Sequence, residues 1–135
     1  MKKLALLACV LAAAGCGGGA GAARTGHTVT FDTAGAFPTA TIVGRYSASG
    51  CAHDARLFVA DAHLFYAHST TLPGPADLYF YDMRFDYAHF QADDCTSKQL
   101  GEAIAQRLST PQRTWLVGNL SGYLLRAVHA ALNAS

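Results

Sequence analysis

Residues 55–68 read "ARLFVADAHLFYAH", and their conformation decides the fold. Leu57, Ala60, Leu64 and Ala67 recur at helical spacing. Leu57, Val59 and Phe65 suit one face of a strand, and Phe58, Leu64 and Tyr66 the other. Periodicity alone leaves both open. The following apolar segment, "ADLYFYDMRFDYAHF" at 76–90, alternates more plainly: Tyr79, Tyr81, Met83, Phe85 and Tyr87 against Asp82, Arg84 and Asp86. That pattern predicts a strand.

Two cysteines frame these segments. Cys51 and Cys95 are equidistant from Pro73, which begins the turn signal "PGP". A hairpin turning at Pro73 would bring its ends together, and paired cysteine Cα atoms must approach within roughly 7 Å. Fourteen residues span about 46 Å as strand but about 21 Å as helix, so arms of unlike conformation would not close. With 76–90 extended, 55–68 is expected to be extended too, with helix as the alternative. Such arms exceed ordinary strand lengths, so a break near Asp61–Ala62 is expected. A Cys51–Cys95 disulfide would clamp the hairpin at its open end.

Shorter elements flank the hairpin. "HTVTFDTA" (27–34) and "TATIVGRYSA" (39–48) read as strands, the second with a bulge at Gly44, joined through "AFP". "TSKQLGEAIAQRL" (96–108) is helical, with Leu100, Ala103, Ile104, Arg107 and Leu108 on one side, Thr96 or Ser97 as cap and Pro111 as terminator. "RTWLVG" (113–118) reads as a short strand. "NLSGYLLRAVHAALNA" (119–134) is a second helix, buried through Leu120, Leu124, Val128, Ala131 and Leu132 and capped by Asn119 or Ser121. The expected fold is α+β, an antiparallel sheet with two C-terminal helices on one face.

The chain begins "MKKLALLACVLAAAGCGGGAGAARTG". Lys2 and Lys3 form a positive start, and Leu4–Ala14 is an apolar run too short to span a bilayer. This is the composition of a secretory signal peptide. "AAAGC" resembles the lipobox of bacterial prolipoproteins, with Ala14 and Gly15 at the two small positions and Ala13 where leucine is usual. The resemblance implies cleavage before Cys16 and acylation of that cysteine. It implies a signal peptide over 1–15, a lipid anchor and flexible Gly/Ala tether over 16–26, and one domain over 27–135. Gly17, rather than aspartate, follows the cysteine, which in this class implies the outer membrane, facing the periplasm. Cleavage at Ala20–Ala22 instead would give a soluble periplasmic or secreted protein.

Composition narrows the functions. The chain has 51% hydrophobic and 14% charged residues and a formal charge of +1. Loss of Lys2 and Lys3 leaves eight basic residues against nine acidic ones, so no basic field would attract nucleic acid. The six histidines lack metal-ligand spacing, although Asp61, His63 and His68 cluster in sequence and His89 precedes Asp93 and Asp94. Ser121 lacks the glycines of a hydrolase elbow. No cofactor, metal or catalytic residue is therefore assigned. Tyr79, Tyr81, Phe85 and Tyr87 form a candidate binding face, with burial in the core as the alternative.

The reading that results is a small lipid-anchored envelope protein, non-enzymatic, with a protein-binding, structural or assembly role. Its partners would be a membrane, through the lipid, and an envelope protein. The alternatives are a periplasmic inhibitor or immunity lipoprotein, and a small ligand-binding module using the aromatic face.

Overall fold

Ser47 starts the longest helix among the described residues. Its backbone is extended and its hydroxyl accepts a hydrogen bond from the Gly50 N–H at 2.9 Å, satisfying one of the otherwise unpaired donors of the first turn. The helix that follows, α1, runs Ala48–Thr70. The computed structural model describes residues 23–31 and 39–135. Two strands precede α1, β1 at Thr28–Phe31 and β2 at Ala40–Val43. Four helices follow it: α2 at Ala76–Ala92, α3 at Ser97–Arg107, α4 at Thr110–Asn119 and α5 at Gly122–Ala134.

The described residues are thus mostly helical, with one small antiparallel sheet. β1 and β2 pair with Val29 opposite Ile42 and Phe31 opposite Ala40. Both expected strands are present but shorter than expected. β2 stops at Val43, before Gly44, because Ser47 already caps α1. The end of the expected first strand, 32–34, and the "AFP" connection lie outside the described residues.

The long β-hairpin is corrected to a helical one. Segments 55–68 and 76–90 are α1 and α2, packed side by side and joined through Pro73, Gly74 and Pro75. Cys51 and Cys95 are bonded at the open end, with Cα atoms 5.5 Å apart. Equal arms close a clamp whether both are strands or both are helices, so the symmetry about Pro73 locates the disulfide without choosing the arms. The stripe that α1 buries is Ala55, Phe58, Val59 and Ala62, at i, i+3, i+4 and i+7. It is rotated from the helical face read in the sequence, and Leu57 is 42% exposed.

The segment 113–118 is also corrected from strand to helix. Pro111 does not merely end α3; it occupies the first turn of α4, where its missing N–H costs no hydrogen bond. Ser109 accepts from the Gln112 N–H, and the Gln112 side chain accepts from the Ser109 N–H at 2.8 Å, a reciprocal capping box. A second box links Thr96 and Gln99 at the start of α3. α3 buries Leu100, Ala103, Ile104 and the following Leu108 as expected, while Arg107 is exposed. α5 buries Leu124, Val128 and Ala131, with Leu120 just before it and Leu132 half-buried.

Packing follows from these faces. The main core joins Phe58, Met83, Phe90, Leu100, Ile104, Leu116 and Leu124, drawn from each of α1 to α5. A satellite core under the sheet joins Phe31 and Ile42 to Ala88 and Ala92 of α2. The C-terminal helices therefore pack on α1 and on one another, and the sheet packs on α2. Gly44 sits so close to the C-terminus of α2 that an added Cβ would collide with the Ala92 carbonyl. That contact brings the sheet onto the helix end.

Candidate functional site

The two ends of the α1–α2 hairpin are built from different chemistry. At the open end, α2 stops at Asp93 and Asp94, the latter in the left-handed region with φ 57°, a conformation aspartate tolerates better than most side chains. Residues 24–27 fasten there. Arg24 donates to the Asp94 carbonyl at 2.8 Å, the Gly26 N–H donates to Asp94 Oδ2 at 2.8 Å, and His27 Nδ1 lies 2.7 Å from Asp94 Oδ1. The His27 N–H donates to the Ala92 carbonyl at 2.7 Å. The Gly26 N–H, and then His27, hold the Asp94 carboxyl below the usual carboxylate range. Arg45 adds a backbone N–H to Asp93 Oδ1 at 2.7 Å.

The opposite end is a bare turn. Leu72 and Leu78 are 50% and 59% exposed, on either side of Pro73, Gly74 and Pro75. Beneath them His68 stacks on Tyr79 at 4.7 Å between ring centres, and His68 Nδ1 lies 2.9 Å from the Pro73 carbonyl oxygen. α2 alone separates this tip from the open end by about 24 Å.

Between the ends runs a seam of carboxyls. Asp86 of α2 faces Asp61 of α1, with Asp82 one turn away, and Asp54 of α1 faces Asp93. Burial, reinforced by Asp61, pushes the Asp86 carboxyl up to about 8. Burial, reinforced by Asp93, pushes Asp54 up to about 6, against the opposing pull of His89 and His53. Burial, then Asp61, raises Asp82 as well. Oδ2 of Asp54 and Oδ2 of Asp86 are buried with no hydrogen-bond donor among the described residues. Two facing carboxylates can only accept, so a proton on either pair supplies the missing O–H donor and removes the repulsion. The seam can therefore hold protons near neutral pH. Among the described residues no three His, Cys, Asp or Glu side chains are arranged to hold a metal ion.

The helix distributes the four aromatic residues of the candidate binding face over different sides. Tyr79 stacks on His68. Tyr81 and Phe85 meet Phe31 of β1 edge-on at 5.6 and 5.5 Å. Tyr87 packs between Phe58 of α1 and Tyr123 of α5. The strand face that would have aligned them does not form, because alternate residues of a helix point about 200° apart. Sequence reasoning missed the cleft that lies beside them, about 260 Å³, lined by Val29, Phe31, Arg84, Gln91 and Tyr123. Arg84 Nε donates to the Tyr123 hydroxyl at 3.0 Å, and its guanidinium sits 5.6 Å from the Phe31 ring centre. His63, grouped with Asp61 and His68 in the sequence, instead meets Gln112 of α4 at 2.7 Å. Cys16 lies outside the described residues.

No family model, curated protein or solved structure matches the chain. Among the described residues no helix is long and apolar enough to cross a membrane.

Proposed function

We propose that this is a small lipid-anchored protein of the bacterial envelope, held at the outer membrane through Cys16 and facing the periplasm. Its role is non-enzymatic protein binding, with the α1–α2 hairpin presenting its tip to a partner. The observation that carries this reading is the polarity of the hairpin. The chain enters the fold at the disulfide end, through residues 24–27, while exposed Leu72 and Leu78 lie at the other end. A tether attached at one end leaves the apolar tip free to reach a partner, and exposed leucines on a rigid turn suit a contact centre.

Two measurements test this. Mass spectrometry of the mature N-terminus should find a diacylglyceryl adduct on Cys16; an unmodified chain beginning near Ala23 overturns the anchor. A photo-crosslinker at position 78, in intact cells, should capture a discrete envelope protein, and Leu72→Ser should abolish the capture. Crosslinks unchanged by Leu72→Ser would remove the tip from the interface.

A second reading is favoured by the same braced hairpin: an inhibitor or immunity lipoprotein that inserts the tip into an enzyme. A stoichiometric hydrolase as the sole crosslinked partner, with its activity lost on binding, would select it. The third reading, a small ligand-binding module, would have to use only some of the four rings, such as Tyr81 and Phe85 beside Phe31.

A further inference from the structure

The flank of α1 opposite the carboxyl seam lines a groove of a different character. Its first half, about 290 Å³, lies between α1 and α3 over Ala48, Ala52 and Ala103, with Gln99 and Gln106 along the α3 wall. Its second half, about 320 Å³, is lined by Val59, Ala60, His63 and Leu64 of α1. Arg56 of α1 and Arg107 of α3 line both halves and so mark where they meet.

The arginines are the unusual feature. Both are exposed, and neither forms a hydrogen bond or ion pair among the described residues. The acidic residue of the groove, Glu102, is held by Lys98 at 2.6 Å on the neighbouring turn. Two guanidiniums thus border a concavity whose carboxylate is engaged elsewhere. The two side chains carry ten donor N–H groups between them, and guanidinium geometry matches a carboxylate or phosphate through paired N–H···O bonds. The alanines of α1 and α3 keep the floor low, and Val59, Ala60 and Leu64 provide an apolar wall next to the charge. A small site of this kind combines apolar lining with a few convergent polar groups.

We propose that the α1–α3 groove binds a small amphipathic organic anion, its oxyanion between Arg56 and Arg107 and its apolar part against Val59, Ala60 and Leu64. The site is separate from the hairpin tip and does not depend on what the tip binds.

The test uses the mature protein in nanodiscs and 4-fluorobenzoate as probe, followed by fluorine NMR line broadening against empty nanodiscs. The acid should bind at least about tenfold better than neutral 4-fluorobenzyl alcohol, and the double variant Arg56→Gln/Arg107→Gln should weaken it by at least about tenfold, the scale of lost charge-assisted hydrogen bonds. Leu64→Asp should weaken it while leaving both arginines in place. Acetate should compete poorly and benzoate well, because only benzoate fills the apolar half. Both arginines are exposed, so unchanged circular dichroism is expected of the double variant. Equal binding of acid and alcohol, or unchanged binding by the double variant, would overturn the site.

Discussion

The two ends of the α1–α2 hairpin share the same two helices yet are held in opposite ways. The open end has a covalent bond, a sheet pressed onto the Ala92 carbonyl and three contacts from residues 24–27 to Asp94. The tip has two prolines, a stacked ring pair and exposed leucines. Constraint is concentrated where the chain enters, and apolar exposure where it turns. Under the proposed function, the constrained base would fix where the tip points.

The largest effect on this contrast should come from cutting the clamp. Replacing Cys51 and Cys95 together with alanine frees a loop of about 45 residues, and the loss should be about 4 kcal/mol in urea unfolding if loop entropy governs it. A loss below about 1 kcal/mol would mean that packing, not the clamp, holds the base. Next in size is Gly44→Ala. Its Cβ meets backbone, which cannot swing aside, so the sheet should lift from α2 at a cost of about 2–3 kcal/mol. Tyr81 and Phe85 would lose their contact with Phe31, visible in near-ultraviolet dichroism.

The carboxyls sharpen the comparison through pH. Asp86 binds its proton more tightly in the folded state than in the unfolded chain. Its contribution is fully present below about pH 4 and is lost as pH rises through about 8. Asp54 behaves alike, its contribution fully present below about pH 4 and lost by the time pH has risen through about 6. Asp94 at the base has the opposite sign: its stabilisation is present above the ordinary carboxylate range and is lost in acid. Thermal melts should therefore show stability falling from pH 5 to pH 8, and Asp86→Asn should remove the larger part of that slope. A slope unchanged in Asp86→Asn would assign the protons elsewhere. The smallest effect belongs to the tip: Leu72→Ser and Leu78→Ser should each change stability by no more than about 0.5 kcal/mol, which calorimetry can check.

The legible and illegible parts of the fold divide along packing. α3 and α5 lean on the core from one side, and their buried residues, Leu100, Ile104, Leu124 and Val128, kept a readable helical period. α2 is contacted by α1, by the sheet and by Tyr123 of α5. Its aromatic residues are consequently spread around the axis, and the spread imitates the alternation of a strand. The disulfide was readable because it depends on symmetry about Pro73, which any paired arms satisfy. α4 left a usable signal in Ser109 and Gln112, a capping pair around Pro111, which an apolar run of six residues outweighed. The carboxyl seam could not be read. Asp54, Asp61, Asp86 and Asp93 meet only after two helices have been paired in one register.

The linkage between Cys51 and Cys95 also bears on how the protein meets proteases. The exposed turn at Pro73–Pro75 is the natural place for a cut, and a cut there divides the polypeptide into two pieces. The bond at the far end keeps those pieces together as one molecule, with the N-terminal fragment still carrying its severed partner. A cut at the turn would then leave no change in mass beyond one added water, and only a reductant would reveal that the chain had been broken.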